Sequence, residues 1–205
     1  MKFIITITLF GFCITNCAKE TLNFEDWVQM NQNETVLNLS KKEVVNLPVS
    51  IQKLTKVEEL TLQYDSIQRL PDEIGELKTL RILNLYGNPI TSLPSSMGNL
   101  SNLEILLLGR TKLTSVPTLL PKLTKLRTLA FDETDIQLTE NDVDILAEMK
   151  SLEILDLTLL RKFESLPKNF GKLSNLKEIS FQKTLLEREE VARLRDELPK
   201  VRIKL

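Results

Sequence analysis

Residues 80–102 read LRILNLYGNPITSLPSSMGNLSN, with Leu80, Leu83, Leu85, Ile90, Leu93, Met97 and Leu100 apolar around one Asn88 and one Pro94. The same spacing starts again at Glu34, Val57, Leu103 and Leu126, a period of 23 residues, and then at Leu152 and Leu176 after steps of 26 and 24. Seven copies of one pattern do not arise by chance, and a fixed period of this length is the mark of a solenoid. Leu83 and Leu85, like Leu37 and Leu39, alternate with period two and so share one face of a short strand. Stacking these strands makes a parallel sheet with a spacing of about 4.8 Å, whose alternate side chains face solvent along the concave surface. Prolines at 48, 71, 94, 117 and 167 fall on the convex return, where a fixed φ restrains the chain without removing a sheet hydrogen bond. Ile51, Ile74, Met97, Leu120 and Phe170, with Leu54, Leu77, Leu100, Leu123 and Leu173, close the core from that side.

The pattern L-x-x-L-x-L-x-x-N-x-L-x-x-L-P-x-x-I-x-x-L resembles the bacterial leucine-rich-repeat class with a Leu-Pro-x-x-Ile-x-x-Leu return, including secreted or lipid-anchored proteins of spirochaetes such as Leptospira. The resemblance covers about Glu34 to Leu205. It implies an α/β fold: a right-handed superhelical solenoid, parallel sheet on the concave face, short caps at both ends. In that class the ninth position is usually asparagine, whose amide serves backbone groups in the turn. Here it is Lys42, Asp65, Asn88, Thr111, Thr134, Leu160 and Thr184. Threonine and aspartate supply part of that hydrogen bonding. Lys42 and Leu160 do not, which leaves turn geometry open in the first and sixth repeats. The sixth also carries an extra residue near Arg161 to Phe163.

A solenoid has to cover its terminal cores. Phe24, Trp27 and Val28 stand at i, i+3 and i+4 behind Asn23, a candidate N-cap, with Asp26 in the first turn. That reads as a capping helix, with a ligand-binding Trp27 as the other use of the residue. At the far end Glu187 to Glu197 is a charge-rich helix with Val191, Leu194 and Leu198 on one face. Pro199 stops it before a last strand, Val201 to Leu205. Leu198, Val201 and Ile203 repeat the strand portion alone. The fifth repeat lacks Leu-Pro over Gln137 to Ser151. Val143, Leu146 and Met149 at helical spacing, after Thr139 and Asp142, predict a helix there; a secondary contact site is the alternative.

The N-terminus reads as a targeting segment. Lys2 precedes an apolar run from Phe3 to Ile14, too short to span a bilayer but long enough for a signal-peptide core. A buried strand on the domain end is the other reading; the order of charge, apolar core and polar Asn16 favours export. Ile14-Thr15-Asn16-Cys17 resembles a bacterial lipobox, which implies a lipid on Cys17. Asn16 departs from the usual Gly, Ala or Ser, as the looser spirochaete lipoboxes do, and cleavage after Ala18 is the alternative. The expected organisation is therefore signal peptide 1–16, linker and capping helix 17–33, seven repeats 34–197 and a terminal half repeat 198–205. Cys13 and Cys17 are the only cysteines, so removal of the segment leaves no disulfide framework.

Composition narrows the chemistry. With 27 basic and 28 acidic residues, no net field favours nucleic acid or an anionic membrane. With no histidine, the usual general base and the commonest metal ligand are missing. Neither a Gly-rich phosphate loop nor a Cys-x-x-Cys or zincin motif occurs. Glu58 with Glu59, and Glu189 with Glu190, fall on solvated faces. No catalytic residue, metal ligand or cofactor is expected, nor any nucleic-acid partner; a membrane is reached only through Cys17.

Function is then sought on the solvent-facing strand positions. Tyr64, Ile82, Tyr86, Ile105 and Leu107, flanked by Arg110 and Asp132, form a patch across repeats two to five. Exposed apolar and aromatic residues rimmed by opposite charges suit protein binding. Aliphatics between strands also occur as ordinary surface that supports cross-strand pairing. The resemblance implies a protein-binding module at or outside the cell envelope with a host or envelope protein as partner, and a monomer is expected. The alternative is a structural envelope protein that self-associates through this patch or the last strand.

Overall fold

The computed structural model describes residues 23–160 and 165–205. Its frame is one parallel sheet in which the described residues contribute eight strands in sequence order. These are β1 (Val36–Asn38), β2 (Glu59–Thr61), β3 (Ile82–Asn84), β4 (Ile105–Leu107), β5 (Thr128–Ala130), β6 (Ile154–Asp156), β7 (Glu178–Ser180) and β8 (Arg202–Lys204). Equivalent repeat positions pair directly, so Leu37, Leu60, Leu83, Leu106, Leu129, Leu155 and Ile179 line up across the sheet. All seven are buried. At about 2 kcal/mol for each buried Leu or Ile, this column is a main reason the sheet stacks in this register.

The return differs between repeats. Pro48, Pro71 and Pro94 each precede a five-residue 3₁₀ helix, Val49–Lys53, Asp72–Glu76 and Ser95–Asn99. Proline fits there because its fixed φ suits the extended entry to the turn. Ile51, Ile74, Met97, Leu120 and Phe170 are buried beneath these segments, as the pattern predicts. In the fifth repeat the predicted helix is present as α2, in chain order the second helix (Glu140–Glu148). Thr139 caps it through a reciprocal capping box with Asp142. Val143, Leu146 and Met149 are buried, the packing role of the two considered.

The ninth-position side chains explain how the two open turns close. Asn88 donates to the carbonyls of Leu62 and Leu85 and accepts from the Ile67 N–H. Asp65 accepts from the N–H groups of Lys42 and Val44. Thr184 accepts from the Leu160 N–H and donates to the Leu157 carbonyl. Each of the three thus serves the turn of the repeat before its own. Lys42 has no earlier repeat to serve and points to solvent, while Leu160 joins the core. A second column was not anticipated. The eighth residue of every repeat has positive φ: Lys41, Tyr64, Gly87, Arg110, Glu133, Leu159 and Lys183. Only Gly87 announces this in the sequence, since glycine alone adopts the left-handed region freely.

Both caps form. Helix α1 (Phe24–Met30) starts at Asn23, whose side chain accepts from the N–H groups of Glu25 and Asp26. Trp27 and Val28 are buried against the first repeat, so the capping use of Trp27 is the one observed. Helix α3 (Arg188–Glu197) buries Leu194, and Leu198 follows it into the core. The last strand corrects the expected frame. Ile203, not Val201, stands opposite Ile179. The Val201 N–H bonds the Leu198 carbonyl, as that of Leu176 bonds Leu173, so Leu198 occupies the Leu173 position. The path from Leu198 to the strand centre is then one residue shorter than the path from Leu173 to Ile179.

Candidate functional site

Sheet register decides which side chains meet on the solvent face. Ile82 pairs with Ile105, and Asn84, Leu107, Ala130 and Asp156 form one row across four strands. Just beyond the strand ends runs a parallel row from the seventh positions, Tyr86, Gly109, Asp132 and Thr158. Ile82, Ile105, Leu107 and Tyr86 are half-buried, and Tyr64 is 44% exposed. The face is more crowded than strict alternation implies: Asn84, Ala130 and Ser180, expected to face solvent, are buried. Strands about 4.8 Å apart on a concave surface leave small residues overlain by their neighbours. Asn84 uses its place by accepting from the Tyr86 N–H, as Asn38 does from Ser40 and Asp156 from Thr158.

The aromatic pair is the centre of the patch. Tyr64 and Tyr86 meet edge to face with ring centroids 5.3 Å apart. Lys41 and Arg110 lie over the Tyr64 ring at 5.6 and 5.9 Å. The Tyr86 hydroxyl donates to Glu133 at 2.6 Å. Burial, that bond and nearby Tyr64 push the Tyr86 hydroxyl well above the usual phenol range, so it stays a donor at any physiological pH. Gly87 makes the pair possible, because a Cβ there would come within 2.8 Å of the Tyr64 ring.

Asp132 has a different environment. Its carboxylate leans over Gly109, where a Cβ would collide with it. Burial first, then Asp156 and Glu133, push its carboxyl up to about 6, against a bond from its own backbone. No ion pair joins either Asp132 or Asp156 among the described residues, whereas Glu58, Glu104, Glu153 and Glu178 at the rim are all paired.

The predicted residues Tyr64, Ile82, Tyr86, Ile105, Leu107, Arg110 and Asp132 thus fall on one face of neighbouring repeats. Two that belong with them were missed, Lys41 and Glu133. Both sit at the eighth position, and reading that column through would have found them beside Tyr64 and Arg110. Cys17 lies outside the described residues. No group of three or more His, Cys, Asp or Glu able to hold a metal occurs among the described residues.

A family model for the leucine-rich repeat region matches residues 32–202. The chain is a leucine-rich-repeat protein. No curated protein matches it. Among solved structures it is similar to a leucine-rich-repeat protein of Leptospira interrogans, with 30% identity and a TM-score of 0.74. That alignment covers 88% of this chain and 45% of the other, so the chain spans less than half the length of that relative. It also resembles the plant peptide hormone receptor RGFR1 solved with RGF2 (22% identity, TM-score 0.58, 82% of this chain and 27% of that one), a likeness of fold. The leucine-rich-repeat ectodomain of the receptor kinase GASSHO1/SCHENGEN3 from Arabidopsis thaliana, solved with CASPARIAN STRIP INTEGRITY FACTOR 2, aligns at 27% identity and TM-score 0.55. It covers 71% of this leucine-rich-repeat chain and 17% of its own. Family and fold are those of protein-interaction modules and are typically not enzymes.

Proposed function

We propose that this chain is an exported, non-enzymatic protein-binding module, active as a monomer at or outside a bacterial cell envelope, in adhesion to or modulation of a host or envelope protein. One observation carries the binding reading. Tyr64, Tyr86, Ile82, Ile105 and Leu107 lie on adjacent repeats of a sheet face that no described element covers. Aromatic and aliphatic anchors framed by charged residues are what a binding hot spot requires. The receptor structures with RGF2 and CASPARIAN STRIP INTEGRITY FACTOR 2 show ligands of related solenoids and support the same class of partner. Export rests on the run Phe3 to Ile14, and anchoring on Cys17.

Self-association through the last strand is less well supported. Arg202 and Lys204 flank Ile203 on β8, and both lie against Glu178. Basic residues on an edge strand oppose pairing with a second copy.

The test is a pull-down with the chain beside its Tyr86→Ala and Leu107→Ala variants. A true partner binds at least one of them about tenfold more weakly, the loss expected of a hot-spot truncation. Retention of full binding by both variants sinks the assignment. The mass of the native N-terminus separately decides between a lipidated Cys17 and cleavage after Ala18.

A further inference from the structure

Two rows of the sheet face have the same order of chemistry. One runs Leu107, Ala130, Asp156 and the other Tyr86, Gly109, Asp132. Each begins with a bulky apolar side chain, passes a small residue and ends on an aspartate. Register fixes the first row directly, since Leu107 pairs with Ala130 and Ala130 with Asp156. The floor between Leu107 and Asp156 is low because Ala130 is buried and carries little side chain, while the Asp132 carboxylate lies over Gly109 and borders that floor. With strands about 4.8 Å apart, Leu107 and Asp156 are separated by about 10 Å, the length of three residues of polyproline II helix, the extended form in which residues i and i+3 share a face.

We infer that this face takes an extended segment of a partner protein that carries a bulky apolar residue and, about three residues along it, a lysine or arginine. The apolar side chain lies against Tyr86, Ile105 and Leu107, and the cation sits between Asp132 and Asp156. This deepens the protein-binding reading and rests on it.

Charge complementarity selects the occupant. Four rim carboxylates are already matched: Arg81 bridges Glu58 and Glu104, Arg127 and Lys177 hold Glu153, and Lys204 holds Glu178. Glu133 is engaged by the Tyr86 hydroxyl. Asp132 and Asp156 are a like-charged pair with no cation beside them among the described residues, next to the apolar shelf. A side-chain cation relieves their repulsion and keeps its hydrogen bonds. An anionic segment would worsen the repulsion, and a wholly apolar one would desolvate both carboxylates without compensation. Two carboxylates also fall short of the oxygen cage that a divalent ion requires.

The test uses a displayed library of random twelve-residue peptides panned against the 205-residue chain. Expected sequences place Lys or Arg three to four residues from Leu, Ile, Phe, Trp or Tyr. A synthetic peptide of that sequence binds the Asp132→Asn/Asp156→Asn variant at least tenfold more weakly. Replacing its cation by neutral citrulline or acetyl-lysine removes the difference between the two proteins, a readout that a folding defect cannot imitate. Thermal melting checks that the double variant is folded. Enriched peptides without a cation overturn the inference, as do cationic peptides that bind the double variant unchanged. If those same peptides lose binding to Tyr86→Ala and Leu107→Ala, the protein-binding reading survives. A library that enriches nothing overturns both.

Discussion

The third and fifth repeats solve one problem in two ways. The third has 23 residues, Pro94, a 3₁₀ return and Asn88 in the turn. The fifth has 26, no proline, a capped α-helix and Thr134 at the ninth position. Their strand halves superpose in register, and only the return halves differ. Both nevertheless place a buried acceptor against the backbone of the repeat before. Asn88 receives the Ile67 N–H, and Asp142 receives the Val116 N–H at 2.8 Å. A repeat can therefore exchange its return, provided that it fills the core and satisfies its neighbour's backbone.

The largest break is expected at Asp142. Its carboxylate also accepts from the N–H and hydroxyl of Thr139. Asp142→Ala strands the Val116 N–H and removes half of the capping box. A loss of about 3 kcal/mol in urea unfolding is expected. A loss under about 1 kcal/mol would mean that α2 is decoration rather than a replacement for the proline return.

Next comes the ninth position, where neighbouring repeats give opposite signs. Asn88→Ala leaves two carbonyls and one N–H without their partner and is expected to cost about 2 kcal/mol. Asp65 occupies the same place one repeat earlier but has only acceptors. Its Oδ2 is buried with no partner. Burial raises its carboxyl above the usual range, against hydrogen bonds from Val44, Lys42 and Glu43. Asp65→Asn supplies the missing donor and should stabilise by about 1 kcal/mol, read as a higher urea midpoint. Equal and opposite shifts are not required, but the same sign in both would break the equivalence.

These pairs also show what was legible in the sequence. The strand positions, the returns and both caps follow from spacing alone, because a core position tolerates few residue types. Asp142 was readable as a helix start; its bond to Val116 was not, since that bond depends on how neighbouring repeats stack. The left-handed eighth column escaped because lysine, tyrosine, arginine, glutamate and leucine announce no special backbone. The patch was legible as a set of apolar residues. Its electrostatics were not, because the Tyr86–Glu133 bond joins residues two repeats apart and the isolation of Asp132 depends on how the rim charges pair off.

The eighth column permits a smaller test. Gly87→Ala places a methyl group against the Tyr64 ring in a backbone region that disfavours it, and should cost about 1–2 kcal/mol. Exposed Lys183 has the same positive φ. Lys183→Gly relieves that strain while adding freedom to the unfolded chain, leaving a gain of about 0.5 kcal/mol. Chemical denaturation of both variants checks the signs; destabilisation by Lys183→Gly would show that the strain is local to repeats two to four.

The last contrast lies within the binding face, between matched Glu133 and unmatched Asp132. A carboxyl whose folded value is raised to about 6 favours the native state while protonated and disfavours it once ionised. Its burden is absent below the ordinary aspartate range near 4 and complete above about 6. From this group, stability therefore falls as pH rises across that window. Asp132 is only part-buried, so solvent screening reduces the effect to at most a few tenths of a kcal/mol. Asp132→Asn should flatten the difference between melts at pH 4.5 and 7 and raise stability slightly at the higher value. An unchanged pH slope would remove the case that Asp132 is held at a cost in stability. A residue kept on a solenoid surface at such a cost, when asparagine would fit, is better explained by what it meets there than by what it holds together.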